Sequence, residues 1–334
     1  MSILNSTFQI HGVNLSNRLV MPPMASGKAG QDGSVLPELC AYYDQKSKNG
    51  YIGLIITEHA YVSSEGKAHE GQLSIAKDSD VSGLKKLVNV IHKNGTKVVA
   101  QISHAGGAAK REVTGCDIVS ASAIKTPRAG SCCECPREMT IFEIEKTILD
   151  FTLAAERAKE AGFDGVEIHA AHGYLLNQFY SPLTNRRKDD YGGASIEGRL
   201  KLPIKIIHSI RKALGDDFLI AIRLGACDYM PGGTTLEDSI QAAHVLEKAG
   251  IDLLDISGGF CGPYRSQSTE QGYFKELSLP IKQQISIPVL LTGGITTSEG
   301  AEALLKDGAA DLIGVGRTIL RDSRWAQQTI SSLQ

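Results

Sequence analysis

Runs rich in valine, isoleucine and leucine recur along the chain, each followed by a polar or glycine-containing turn and then a longer segment with apolar residues at helical spacing. Eight of these runs predict strands, at residues 18–22, 52–57, 97–103, 165–169, 218–224, 252–257, 287–292 and 311–315. They are continuously apolar rather than alternating. That is the pattern of a parallel sheet covered on both faces, and parallel neighbours need helical crossovers between them.

The clearest helix opens with Thr140-x-x-Glu143, a capping box in which each side chain satisfies the other's free backbone N–H. It then places Ile144, Ile148, Phe151, Ala155 and Ala158 at alternating steps of four and three, and stops at Gly162. Further helices are predicted at residues 37–48, 79–94, 198–214, 236–249, 273–284, 298–306 and 317–331. Eight strands each followed by a helix predict an α/β fold with a single (β/α)8 TIM barrel. Residues 8–15, apolar on either side of His11-Gly12, read as an N-terminal β-hairpin plugging the barrel bottom. The long stretch 103–140 after the third strand exceeds an ordinary connection and reads as a lid.

A doubly wound sheet is the competing architecture. It brings its phosphate-binding glycines as G-x-G-x-x-G after the first strand, and that pattern is absent. The nearest nucleotide-loop pattern, residues 193–199, lacks both the lysine and a preceding strand. Length alone, 334 residues, favours two domains, but the strand–helix repeat assigns 1–334 to one barrel domain.

Charge and composition narrow the partners. With 35 Lys+Arg against 37 Asp+Glu the formal net charge is -2, which points away from nucleic acid and anionic membrane surfaces. No apolar stretch approaches the roughly 18 residues of a membrane span, and the first ten residues lack a signal-peptide pattern. Seven cysteines, an odd number in a chain too large to need staples, read as reduced thiols in a cytoplasmic protein. Cys132, Cys133 and Cys135 crowd the long loop without a fourth ligand at metal spacing and receive no role. The 35 glycines exceed average usage of about 7%, so tight turns or close backbone approach are expected.

In a barrel the C-terminal strand ends carry the chemistry. Here they hold Pro23-Met24-Ala25, His59, Gln101, the run His169-Ala170-Ala171-His172-Gly173-Tyr174, Arg223, Gly293-Gly294 and Gly316-Arg317. Glycines after the last two strands suit a phosphate, with the following helix N-terminus and Arg317 adding positive charge; plain turn glycines are the alternative. His169 and His172 suit two donors to one substrate oxygen, with Tyr174 as a proton donor, rather than a metal pair, since no third ligand stands at metal spacing. Arg223, inside an apolar strand, should face an anion or electron-rich ligand; an internal salt bridge is the other account.

The runs Asn17-Arg18-Leu19-Val20-Met21-Pro22-Pro23-Met24, Gln101–Gly106 and His169–Leu175, with Ser181-Pro182-Leu183-Thr184-Asn185-Arg186-Arg187 and Asp190-Tyr191-Gly192-Gly193, resemble the Old Yellow Enzyme family of flavin-dependent ene-reductases. The chain is also similar to the barrel domain of 2,4-dienoyl-CoA reductase. The resemblance implies a barrel holding non-covalent FMN, reduced by NADH or NADPH in a ping-pong cycle. Pro23, Met24 and Ala25 would lie against the isoalloxazine, with Gln101 on its pyrimidine edge and Arg223 near N1 and O2. Gly293, Gly294, Gly316 and Arg317 would hold the phosphate. His169 and His172 would anchor the carbonyl or nitro oxygen of a small-molecule substrate, hydride from flavin N5 would enter its β-carbon, and Tyr174 would protonate the α-carbon. Homo-oligomers are implied as well.

Two residues of the cofactor site that the resemblance implies, Ala25 and His59, depart from the family pattern. Ala25 stands where many relatives carry Thr or Cys, and His59 where a small residue is common. The dienoyl-CoA reductase branch carries a four-cysteine cluster motif after its barrel; no cysteine follows Cys261 here, so direct reduction by NAD(P)H is the expectation. Two other functions compete: a flavin-free phosphate-binding lyase or isomerase, which would need a lysine at a strand end, and a flavin-binding protein without turnover.

Overall fold

The computed structural model describes residues 2–127, 134–265 and 268–333; Cys132 and Cys133 lie outside them. Eight parallel strands close on themselves: Leu19–Met21, Leu54–Ile56, Lys97–Ser103, Gly165–Ala170, Leu219–Gly225, Leu253–Ser257, Val289–Thr292 and Leu312–Gly314. Closure is direct, since the eighth strand pairs with the first, Ile313 opposite Leu19. The TIM barrel expected from the sequence is the architecture.

Helices follow the strands nearly where periodicity put them, including Pro37–Ser47, Val81–His92, Ile141–Ala161, Ile196–Leu214, Leu236–Ala249 and Ser298–Lys306. Thr140 and Glu143 form the expected capping box, with Glu143 also gripped by Arg137. The Arg137 guanidinium and the cap hold the Glu143 carboxyl down to about 2. Its folded value lies below its unfolded one, so this contribution is complete above the ordinary value of 4.5 and disappears as pH falls towards 2. Glu143→Gln is therefore expected to cost about 1 kcal/mol at neutral pH and nothing near pH 2, read from unfolding midpoints across a pH series.

One predicted helix divides. Residues 317–331 form Arg317–Arg321 and Trp325–Ser332. The buried Lys46 ammonium donates to the carbonyls of Ile319 and Leu320, which a continuous helix would offer to residues 323 and 324. The Arg324 N–H turns instead to the Asp322 carboxylate at 2.9 Å. The remaining helix is five residues long, and both of its arginines, Arg317 and Arg321, line the cavity at that strand end.

The hairpin is present as Phe8–Ile10 paired with Val13–Leu15. His11 and Gly12 both take positive φ, 43° and 79°, the turn whose twist matches a two-residue hairpin. Ile10 and Leu15 pack on the inward-facing Val20, Leu54, Val99, Leu219, Leu253, Leu290 and Leu312 and so seal the N-terminal end. Three aspartates fix strand register at that same end. Asp164 accepts the Val98 N–H at 2.8 Å, Asp252 the Ile220 N–H at 2.8 Å and Asp311 the Val289 N–H at 2.9 Å. Each also meets a base: Lys97, Arg211 and Lys282 respectively. Among the described residues no helix is long and apolar enough to cross a membrane.

Candidate active site

At the C-terminal strand ends lies a cavity of about 730 Å³, within the usual range for small-molecule sites. Pro23, Met24, Ala25, His59, His169, His172, Tyr174, Arg223, Gly293, Gly294, Gly316 and Arg317 all line it. Residues from the first, second, fourth, fifth, seventh and eighth strand ends thus converge on one space. Gln101 is the exception among the residues singled out. It is buried in the barrel behind this wall, its amide donating to Glu167 Oε1 at 2.7 Å.

The fourth strand end is shaped by a segment whose sequence gave no periodic signal, the helix Leu175–Tyr180. His172 and Gly173 adopt positive φ, 58° and 75°, which reverses the chain sharply after the strand. Asn177 Oδ1 accepts the Gly173 N–H at 2.7 Å, and Gln178 Nε2 donates to the Gly173 carbonyl at 2.7 Å. Gln178 Oε1 also accepts from Gly107 N–H and the Ser120 hydroxyl, which ties the long connection to the same turn. The turn brings three rings together: the His169 centroid lies 5.1 Å from His172 and 4.9 Å from Tyr174. The Nε2 of His172 is hydrogen-bonded to the Ser257 hydroxyl at 2.7 Å, which fixes the ring at the cavity wall. His104, in the third-strand motif, stays out of the cavity. Burial holds its imidazole down to about 4, and as a neutral ring it accepts the Gly106 N–H at 3.0 Å.

The specific-looking run after this helix is scaffolding. Ser181 donates to the buried Asp228 at 2.6 Å, and Asn185 donates to the carbonyls of Phe179 and Tyr191. Arg187 donates to the carbonyls of Ala121 and Met139, fastening both ends of the long connection. None of these side chains lines the cavity.

Arg223 satisfies both readings of it, since it lines the cavity and pairs with Asp255, Nε to Oδ2 at 3.1 Å. Strand register sets the pairing: Arg223 stands opposite Asp255 on one side and His169 on the other. Behind it lie two carboxyls, Asp255 and Glu167, whose oxygens lack aligned donors apart from the Gln101 amide. Burial pushes Glu167 well above the usual carboxylate range and Asp255 up to about 6, with Arg223 pulling both back. One proton shared between the two carboxyls supplies the missing donor and leaves the cluster neutral with Arg223. Glu167 and Asp255 were not among the expected residues. An acid inside an apolar strand carries the same signal that marked Arg223.

The cavity fits a flat ring with a phosphate tail. Tyr273 covers the face of the Gly293–Gly294 turn where side chains would stand, with an added Cβ falling 2.7 and 2.6 Å from its ring. A Cβ on Gly316 would come within 2.9 Å of Met24 Sδ. The bare backbone of these glycines therefore fronts the cavity beside Arg317, while Met24 and Ala25 form an apolar wall and Arg223 a cationic one.

Comparison with known proteins agrees with this geometry, since residues 4–334 match the family model described as NADH:flavin oxidoreductase / NADH oxidase family. The chain belongs to that family. It is 41% identical over 334 residues to an NADH oxidase of Thermoanaerobacter brockii, covering 97% of this chain and 50% of that protein. It is 38% identical to an NADPH dehydrogenase of Geobacillus sp. (strain WCH70), covering 97% of this chain and 92% of that one. The structure of an old yellow enzyme homologue from Zymomonas mobilis superimposes with a TM-score of 0.84 at 27% identity, over 99% of this chain and 93% of that one. The chain thus spans about half the length of the NADH oxidase and nearly all of the other two. NADH:flavin oxidoreductases of this family bind FMN and take electrons from NADH or NADPH, and the Old Yellow Enzyme resemblance holds.

Proposed function

We propose that this chain, as one barrel domain, reduces activated C=C bonds of α,β-unsaturated carbonyl or nitro compounds at the expense of NADH or NADPH in a ping-pong cycle. The observation that carries the reading is the convergence of His169, His172 and Tyr174 on a cavity that also presents bare glycine backbone and three arginines, Arg223, Arg317 and Arg321. Bound FMN would supply the hydride-transferring ring, accepting from the nicotinamide and delivering to the substrate β-carbon.

The protein's own groups do the rest. Gly293, Gly294, Gly316 and Arg317 would hold the phosphate through backbone N–H groups and a planar cation. Pro23, Met24 and Ala25 would press on the ring, with Arg223 placing positive charge at its edge and Gln101 acting through Glu167. His169 and His172 would donate to the substrate oxygen and draw electron density from the double bond. Tyr174 would give its phenol proton to the α-carbon. The lyase reading needed a lysine; among the described residues none lines the cavity. The five described cysteines are free thiols, which supports placement in a reducing cytoplasm.

The test is anaerobic mixing of the FMN-loaded protein with NADH or NADPH, followed by 2-cyclohexenone, a nitroalkene or a dienoyl thioester. Bleaching by a nicotinamide and recovery of colour with an enone are the expected results. Protein that stays yellow with both nicotinamides, or that no unsaturated acceptor re-oxidises, would overturn the reading.

A further inference from the structure

His59 faces Tyr174 across the cavity and has no part in the reaction as derived so far. Its Nε2 lies 3.4 Å from the Tyr174 oxygen, with ring centroids 5.4 Å apart at 64°. Which hydrogen occupies that contact is decided two residues further out. The Ala68 N–H, which can only donate, points at Gln72 Oε1 at 2.6 Å. The Gln72 amide nitrogen must then be the atom 2.8 Å from His59 Nδ1 and 3.2 Å from the His59 carbonyl. Turning the amide over would set donor against donor at Ala68 and acceptor against acceptor at the His59 carbonyl, and Gln72 is buried. An NH2 group only donates, so His59 Nδ1 carries the lone pair and the neutral ring carries its hydrogen on Nε2, aimed at Tyr174.

We propose that His59 is a positioning residue for proton delivery: fixed in this tautomer by Gln72, it donates to the Tyr174 oxygen, turns the phenol O–H towards the substrate and stabilises the phenolate left behind. The inference rests on Tyr174 being the acid. In the step itself the Tyr174 O–H bond breaks, the proton joins the substrate α-carbon using the enolate electron pair, and the negative charge stays on the phenol oxygen. The same network keeps His59 from acting as a relay. A second proton at Nδ1 would oppose the Gln72 NH2, so water restores the proton to the phenolate and the imidazole stays neutral throughout. Rings that face His59 include His69, His169 and Tyr174, at centroid distances of 5.5, 6.3 and 5.4 Å.

The experiment uses the FMN-loaded enzyme carrying 13Cζ-tyrosine, with the Tyr174 resonance assigned by its loss in Tyr174→Phe. In His59→Phe, and equally in His59→Ala, the Tyr174 carbon is expected to titrate at higher pH than in the wild type. Re-oxidation by 2-cyclohexenone should slow by about ten- to a hundredfold, the worth of a hydrogen bond to a charged oxygen, while bleaching by NADPH keeps its rate. His59→Gln, whose amide can also donate, should recover part of both effects. An unchanged Tyr174 titration in both variants, or an equal slowing when the variants are made in the Tyr174→Phe background, would overturn the proposal. Full-speed re-oxidation of Tyr174→Phe would overturn the acid reading and with it the role of His59. That outcome is recognisable because the shift in titration would persist.

Discussion

Tyr174→Phe is expected to re-oxidise with 2-cyclohexenone about 10²- to 10⁴-fold more slowly than the wild type, the usual worth of a positioned general acid. Its reduction by NADH or NADPH should be unchanged, because no proton leaves the phenol in that half of the cycle. Phenylalanine keeps the ring, and so keeps the edge contact with His169 at 4.9 Å. Only the hydroxyl is lost. Stopped-flow absorbance of the two half-reactions separates the cases, and equal slowing of both would mean that Tyr174 shapes the cavity without supplying a proton.

Arg223→Met should lower folding stability by about 3–5 kcal/mol, the cost of stripping a counter-charge from a buried carboxylate. Asp255 and Glu167 are fully buried, and Arg223 is the base that draws both carboxyls down. Without it both must hold a proton in the folded state, whereas in the unfolded chain both are ionised at neutral pH. Folding then takes up more protons than in the wild type, and the variant should lose further stability as pH rises, by about 1.4 kcal/mol per pH unit for each extra proton bound. Urea midpoints at pH 6 and pH 8 would show a wider gap at pH 8. Adding Asp255→Asn removes one of the stranded acids and should restore much of the loss. Equal midpoints for Arg223→Met and wild type at both pH values would mean that the carboxyls are held by something other than this cation.

Most of the fold was legible because a covered parallel strand is predominantly apolar on both faces. The run at 97–103 matches its strand Lys97–Ser103 end for end for that reason. The site was legible because barrel geometry brings the residues at most strand ends to the cavity, and His169, Tyr174 and Gly316 needed no further information. What escaped depends on partners distant in sequence. The six-residue helix Leu175–Tyr180 is too short to show a period and is held by bonds to the turn before it and the long connection beyond. The break at Asp322 depends on Lys46, on a helix 273 positions away from the carbonyl it reaches. Gln101 was placed at the cavity because its strand end lies there, yet its amide reaches Glu167, a neighbour that only the register of the third and fourth strands reveals.

The three aspartates at the closed end of the barrel bind backbone amides, and a backbone amide is the same whatever residue carries it. At the clamped position Asp164, Asp252 and Asp311 can therefore accept any residue but proline, provided the strand arrives in register. The barrel is in this sense jointed. Strand–helix units from another member of the family could be spliced in at these seams, and the incoming strand would meet its clamp without an accompanying mutation. Cavity-lining ends of these strands could then be exchanged, because the three joints lie at the end opposite the cavity.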